Sequence, residues 1–437
     1  MWTYHPDLLA RPVPRYTSYP TAMEFAEDVG ADDYALALDG IDSATPISLY
    51  AHIPFCEQIC WYCGCNTGAA GRRQRLADYL AALGSEIAMV AKRLGGRGRV
   101  GRIAFGGGSP NAIAPVEFVR LLDRMLTVFD ATRPDISIEI DPRGFTSEWA
   151  LVLAASNVTR VSLGVQTFAP HLQKAIGRVQ PLADIECAMA ALRLRGIDAI
   201  NFDLMHGLPG QSVADLDATL DETIRLAPSR IALFGYAHLP QMLPRQRRID
   251  ASNLPDARLR FEQAAHGYGR LTAAGYVAVG FDHFARPDDP LAVALSEGRV
   301  NRNFQGFTED DASVLLGFGA SAISKFPDLI VQNEKRAGPY RDLIGEGRLA
   351  AVRGVVRAQE ERERAAIISD LLCQGRTRLE GRWVQATQVS LADFGAQRLI
   401  DWDGDTLIIR DDALPYARII ASQFDRIRGS VFPDNFR

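Results

Sequence analysis

Between Pro46 and Gly280 the rhythm of hydrophobic and polar positions changes repeatedly. Ile47, Leu49, Ala51 and Ile53 fall on one side of a period-two pattern and Ser48, Tyr50 and His52 on the other, predicting a strand that Pro54 ends. Leu76, Tyr79, Leu80, Leu83, Ile87 and Val90 then recur at helical spacing. The same succession returns with strands predicted at 102–105, 136–140, 159–165, 199–204 and 230–236, each followed by a helical pattern, the last around 256–274. Six β-then-α units imply parallel strands with right-handed crossovers, in a barrel, a partial barrel or an open doubly wound sheet.

The residues at the end of each strand favour the barrel. The first strand leads into a cysteine-rich loop and the second into GGGSP (106–110); the third carries Glu139 and Asp141. The fourth runs into Gln166, the fifth through Asp203 into HGLPGQ, and the sixth into YAHLP (236–240). In (β/α) barrels the carboxyl ends of the strands build the active site, so these elements would share one mouth. The expected fold is α/β, a partial (β/α)6 barrel at 36–340. Residues 1–35, with PVPRYTSYPT, are proline-rich and read as an extended arm; 341–437 read as a smaller, mainly helical C-terminal domain.

Composition narrows the class without naming a chemistry. Apolar residues make up 47% and charged residues 23% of the 437, ordinary values for a globular protein. A formal charge of -5 gives no general attraction to nucleic acid or anionic lipid. No export signal is visible at the N-terminus and no apolar run nears the ~20 residues needed to cross a bilayer, so a cytoplasmic protein is expected. In a reducing compartment, clustered cysteines hold metal or do redox chemistry more often than they form disulfides.

Four of the six cysteines, Cys56, Cys60, Cys63 and Cys65, lie within SLYAHIPFCEQICWYCGCNT (48–67). Soft thiolates suit zinc or an iron–sulfur cluster, and one short loop can offer thiolates to adjacent corners of a cube. A four-cysteine zinc site ordinarily draws on two separated pairs. Cys187 and Cys373 fall in helical apolar patterns and read as small buried hydrophobes; His52 reads as either a core histidine or a group near the loop.

The loop, Cys56-x3-Cys60-x2-Cys63 with Tyr62 before the last cysteine, resembles the cluster motif of the radical S-adenosylmethionine superfamily. With its flanks, YAHIPFCEQICWYCGCN is similar to the anaerobic, oxygen-independent coproporphyrinogen III oxidases. PRYTSYPTAMEF, FGGGSPN, SIEIDPRGF, RVSLGVQTF, DLMHGLPGQ, YAHLPQM, DHFARPDDPLA, NRNFQGF and LLGFGASAIS extend the likeness over most of the chain up to about residue 340.

The resemblance implies one [4Fe-4S] cluster on Cys56, Cys60 and Cys63, with Cys65 a non-ligand and the fourth iron open to S-adenosylmethionine. It implies one or two such cofactor molecules bound by Tyr50, Tyr62, Gly107, Gly108, Ser109, Glu139, Gln166, Arg178, Asp203, Ala237 and Ile323. Gln166, Arg178, Asp203 and Ala237 match the set for a second molecule. Ser109 stands where the family usually has threonine, and Tyr62 where phenylalanine is common. The implied substrate, coproporphyrinogen III, carries four propionates, making Arg11, Arg15, Arg245, Arg247, Arg248 and Arg286 candidates to receive them. The resemblance further implies an electron donor and an acceptor, no nucleic-acid or membrane partner, and a monomer.

Three rivals share some features: a haem-binding chaperone on the same scaffold, another radical enzyme acting on tetrapyrroles, and a zinc-stabilised binding module. The chaperones typically place phenylalanine where this chain has Cys65 and lack the PRYTSYPT arm.

Overall fold

The computed structural model describes residues 2–426 apart from positions 12, 72 and 305. Six strands, β1 (Pro46–Ile53), β2 (Arg99–Gly107), β3 (Asp135–Ile140), β4 (Arg160–Gln166), β5 (Ile200–His206) and β6 (Arg230–Gly235), alternate with six helices. These are α1 (Arg73–Leu94), α2 (Pro115–Val128), α3 (Ser147–Ala155), α4 (Leu182–Arg193), α5 (Val213–Leu226) and α6 (Ala257–Ala273). The strands pair in parallel in sequence order, as six β/α units require.

The sheet continues at both ends. After β6 come the antiparallel β7 (Val277–Val279) and β8 (His283–Ala285), and on the far side of β1 lie β9 (Val314–Phe318), β10 (Ile323–Lys325), β11 (Leu329–Asn333) and β12 (Ala351–Val356). The full order is β12-β11-β10-β9-β1-β2-β3-β4-β5-β6-β8-β7, an open partial barrel in which β9 adds a seventh parallel strand beside β1.

The two faces of β1 explain its alternation. Ile47, Leu49, Ala51 and Ile53 are buried among helices, together with Tyr79, Leu83 and Ile87 of α1. Across the sheet Tyr50 pairs with Ala104, Glu139 with Ser162, and Gly164 with Asp203, so the opposite face is polar. Glu86 of α1 is the exception on the apolar side, at 1% exposure. It accepts hydrogen bonds from Tyr340 Oη, Gly319 N and Asn333 Nδ2, each at 2.7 Å, tying α1 to the chain around β9 and β11.

Secondary structure runs across both expected outer boundaries. The N-terminal arm is not wholly extended: Pro6–Leu9 is a helical turn, with proline at the first position, where a missing N–H costs nothing, and a helix at Ala31–Asp39 crosses the expected boundary at 35. At the other end residue 340 lies inside a helix (Ala337–Gly345), and β12 beyond it is hydrogen-bonded to β11, so the main sheet extends to Val356. After it come helices Gln359–Gln374 and Gly381–Ala396 and a three-stranded antiparallel sheet around Thr406–Ile409. Leu371, Phe394, Leu407, Tyr416 and Phe424 form their core, which also takes in Leu8, Tyr16 and Tyr19 of the arm. Hydrogen bonds pin the arm there, among them Tyr416 Oη donating to Thr3 O at 2.6 Å and Tyr16 Oη to Asp425 Oδ2 at 2.8 Å.

Cys373 is buried as expected, but Cys187 is exposed. The inward face of α4 is Ile185, Ala188, Met189 and Leu192, the i, i+3, i+4, i+7 set, which leaves position 187 on the outside.

Candidate active site

The cysteine loop leaves the carboxyl end of β1 and returns by pairing Phe55 and Cys56 with Gly68 and Ala69. Its far side is held by a hydrogen bond from Trp61 N to Ile176 O at 3.0 Å. The glycines after β2 are required by this packing. A Cβ on Gly106 would lie 2.7 Å from Glu139 Oε1, on Gly107 2.6 Å from His52 Cε1, and on Gly108 2.5 Å from Phe55 O. Gly107 also has φ +114°, where side chains are strained. Gly108 N and Ser109 N then bond to Ile53 O and Phe55 O at 2.9 and 2.8 Å. Ser109 Oγ is turned to Asn111 Oδ1 at 2.5 Å.

Each thiol has its own surroundings. Cys56 Sγ lies 3.2 Å from Thr67 Oγ1, and burial pushes its pKa up to about 11. Cys60 is buried, and its sulfur accepts from Arg143 Nη2 and Arg178 Nη1, both at 3.3 Å. Cys63 Sγ accepts from Cys65 N at 3.3 Å; contact with Cys65, helped by the cations Arg245 and Arg178, draws the Cys63 thiol down. Cys65 itself is exposed.

Asp141 organises the two guanidinium groups. Arg143 Nη2 meets Asp141 Oδ2 at 2.5 Å, and Arg178 Nη2 meets Asp141 Oδ1 at 3.1 Å while also donating to Gly164 O at 2.6 Å. These cations hold the Asp141 carboxyl below its ordinary range despite burial. Arg178, expected on the cofactor, is thus anchored to Cys60 and Asp141 and braces the loop. Arg143 and Asn111, which accepts from Asp141 N and donates to its carbonyl, were not singled out from sequence. The one available signal was Asp-Pro-Arg directly after β3.

The polar face of the sheet carries the other expected residues. Glu139 Oε2 accepts from Gly107 N at 3.1 Å; burial, with the Asp203 charge adding, pushes its carboxyl up to about 7. Asp203 accepts from Asn201 Nδ2 at 2.9 Å and Ser162 Oγ at 3.1 Å, and burial raises it too. Gln166 is buried at the end of β4 with φ +66°, where the register with β5 shifts. Tyr50 Oη lies 3.1 Å from His52 Nδ1, whose ring is completed by Asn66 O at 3.2 Å from Nε2. Burial lowers His52 to about 4, so it is a neutral, partnered histidine behind the loop. The carbonyls of Tyr62 and Ala237 both accept from Gln246 Nε2, at 2.8 and 3.1 Å, bringing the loop and the end of β6 together. Ile323 starts β10, on the far side of β9 from β1.

The candidate propionate arginines divide. Arg245 Nη2 donates to Thr67 O at 3.0 Å and Arg248 lies 4.5 Å over the Trp61 ring, so both support the cysteine loop. Arg247 donates to Pro240 O at 3.3 Å, and Arg11 is exposed. Arg15 donates to Gly235 O at 3.0 Å, at the mouth. Arg286 is at the wrong end: its N–H bonds to Ser229 O, and Ala285 pairs with Arg230, the first residue of β6.

Three thiols on one loop, with two guanidinium donors on one sulfur, fit an iron–sulfur cluster, whose properties depend on hydrogen bonds to sulfur. The buried atoms Arg178 Nε and Arg245 Nη1 have no partner among the described residues, leaving positive character beside the loop. Among the described residues no three Cys, His, Asp or Glu side chains converge as around a single ion; thiolates on separate irons have no need to.

Comparison with known proteins agrees. A sequence model of the Radical SAM superfamily matches residues 50–223. An oxygen-independent coproporphyrinogen III oxidase of Bradyrhizobium diazoefficiens is 42% identical over 423 residues, covering 94% of each chain. That of Escherichia coli K12 is 37% identical over 390 residues, 88% of this chain and 84% of the relative. The solved structure of the Escherichia coli coproporphyrinogen III oxidase, described as a radical SAM enzyme, superposes with a TM-score of 0.90 at 34% identity, covering 97% of this chain and 99% of that one. With identity at this level over 94% of its length, the chain belongs to the oxygen-independent coproporphyrinogen III oxidases of the radical SAM superfamily.

Proposed function

We infer that this chain converts two propionate side chains of coproporphyrinogen III to vinyl groups with loss of CO2, giving protoporphyrinogen IX in haem biosynthesis. The observation that carries the reading is the three-plus-one division of the cysteines: Cys56, Cys60 and Cys63 available as ligands, Cys65 exposed and bonded through its N–H to the Cys63 sulfur. Cys65 in place of phenylalanine, together with the arm, favours the oxidase over the haem chaperones.

Cys56, Cys60 and Cys63 would hold a [4Fe-4S] cluster that, with S-adenosylmethionine, supplies a 5'-deoxyadenosyl radical able to take hydrogen from a propionate β-carbon. The protein supplies binding, orientation and a shielded site. Arg143 and Arg178 place positive charge on the Cys60 sulfur, and Asp141 fixes both in register. Gly107, Gly108 and Ser109 bring backbone beside the loop, and Glu139 offers a carboxylate to a cationic cofactor, with Tyr50, Tyr62 and Ile323 around it. Gln166, Arg178, Asp203 and Ala237 are assigned to a second S-adenosylmethionine, Arg178 reaching it from its anchor on Asp141. An electron donor, an electron acceptor and a monomeric, cytoplasmic protein complete the proposal; no helix among the described residues is long and apolar enough to cross a membrane.

The test is anaerobic turnover by reconstituted protein with S-adenosylmethionine, a strong reductant and coproporphyrinogen III. 5'-Deoxyadenosine with the divinyl product is expected. Deoxyadenosine without vinyl product overturns the oxidase reading and keeps the radical one.

A further inference from the structure

Three parts of the chain that are far apart in sequence each send arginine to one place at the barrel mouth. Arg15 comes from the arm and donates to Gly235 O at 3.0 Å; Arg260 of α6 donates to Tyr236 O at 2.6 Å. Arg302 Nη2 bonds to Arg15 O at 3.3 Å and its guanidinium lies 5.0 Å from the Phe281 ring centre. Arg418, from the C-terminal unit, lies 5.5 Å from the same ring. The four sit within each other's fields: burial and mutual repulsion lower Arg260 and Arg302 and hold Arg418 down at about 10.

Among the described residues their charge is only partly balanced. Among the described residues none of the four forms a salt bridge, and Asp282, the carboxylate that acts on Arg302 and Arg418, is engaged with His283 Nδ1 at 2.7 Å. Arg302 Nε and Nη1 are buried with no hydrogen-bond partner among the described residues. Burying a guanidinium group is costly unless it is paired. Arg260, Arg302 and Arg418, together with the exposed Arg15, surround one engaged carboxylate, and the unused N–H groups of Arg302 describe a receptor for anions that prefers the planar oxygens of a carboxylate. The place is also continuous with the candidate active site, because His283 of β8 and Asp203 of β5 flank Ala232 of β6 in register.

We propose that Arg15, Arg260, Arg302 and Arg418 form the subsite that grips carboxylate side chains of the macrocycle, assembled only when arm, barrel and C-terminal unit are all in place. The proposal rests on the substrate reading above and deepens it. Of the arginines nominated by sequence only Arg15 belongs to this group; the other three lie in segments with no basic run.

The experiment measures anaerobic Kd for coproporphyrin III, the fluorescent oxidised form of the substrate, on full-length reconstituted protein. Arg302→Gln and Arg418→Gln should each weaken binding roughly 10- to 100-fold, the loss of one charge-assisted pair. Both variants should keep the parent's iron and sulfide content per chain, which shows them folded. The tetramethyl ester of the same macrocycle should bind the parent at least ten times more weakly than the free acid, and should bind parent and variants alike. Free acid bound equally by parent and folded variants overturns the proposal, as does an ester that binds the parent as tightly as the acid. The ester comparison uses parent protein alone, so it decides the question even where a variant fails to fold. If the parent binds the acid through these arginines but never forms vinyl product, the substrate subsite stands and the oxidase reading fails.

Discussion

The Arg178 guanidinium donates to the Cys60 sulfur at 3.3 Å from within an ion pair with Asp141. A residue that sequence places among cofactor contacts is also built into the wall behind the cysteine loop. Arg143 makes a second bond of the same length to the same sulfur. Hydrogen bonds to sulfur stabilise the more reduced state of an iron–sulfur centre. Arg143→Gln should move the midpoint potential of the reconstituted cluster negative by on the order of 50 mV, the one-electron equivalent of roughly 1 kcal/mol. Redox titration followed by electron paramagnetic resonance reads it, and an unchanged potential rejects the role.

Cys65 gives a sharper test of ligand number. Cys65→Ser should bind the same iron and sulfide per chain as the parent, whereas Cys56→Ser, Cys60→Ser and Cys63→Ser should each lose most of both. Iron and sulfide analysis after anaerobic reconstitution separates these outcomes.

Glu139, pushed up to about 7, changes charge within the working range. S-adenosylmethionine affinity should rise between pH 6 and 8 as this carboxylate ionises toward a cationic ligand. Glu139→Gln should remove that rise and weaken binding roughly tenfold at pH 8, a cost of ~1.4 kcal/mol. Equilibrium dialysis at several pH values measures both; a pH-dependent Gln variant assigns the titration elsewhere.

The buried Glu86 carries a stability prediction of definite sign. Burial raises its pKa from 4.5 to about 7, so the folded protein keeps this proton after the unfolded chain has released it. The contribution is full below pH 4.5 and is lost as pH climbs through about 7. The stability of the parent relative to Glu86→Gln should fall by up to ~3 kcal/mol over that window and flatten above it. Denaturant unfolding of both proteins at pH 5, 6, 7 and 8 shows the slope or its absence.

Removing residues 1–21 takes away Leu8, Tyr16 and Tyr19 from the C-terminal core, and Arg15 from the mouth. Porphyrinogen turnover should be abolished while uncoupled deoxyadenosine formation survives; retained turnover would show the arm to be dispensable.

The six β/α units were legible because each strand is a short apolar run and each helix repeats its apolar residues at i, i+3 and i+4. β9 was not, since Val314–Phe318 has no helical partner before β10 to complete the same pattern. β12 was hidden behind a boundary drawn where charge density rises. The cysteine loop could be read because its residues are consecutive. The meeting of Asp141, Arg143 and Arg178 at Cys60 could not, since it depends on how three different strand ends converge. The same holds for Arg260, Arg302 and Arg418, which no linear spacing connects. Cys187 shows the limit of composition without phase: an apolar residue in an amphipathic helix is buried only on the correct face.

Ala26 exchanges both backbone hydrogen bonds with Gly354, N to O at 2.7 Å and 2.9 Å, on the outermost strand of the twelve-stranded sheet. An open sheet offers its unpaired rim as a template on which other chains can stack. The stretch around Ala26 occupies that rim at its midpoint, and Gly354 admits it because a side chain there would collide with Ile330 O and Val29. The segment that reaches the catalytic mouth through Arg15 is therefore, eleven residues further on, a guard against self-association, and shortening it past Ala26 trades a loss of activity for a gain in stickiness.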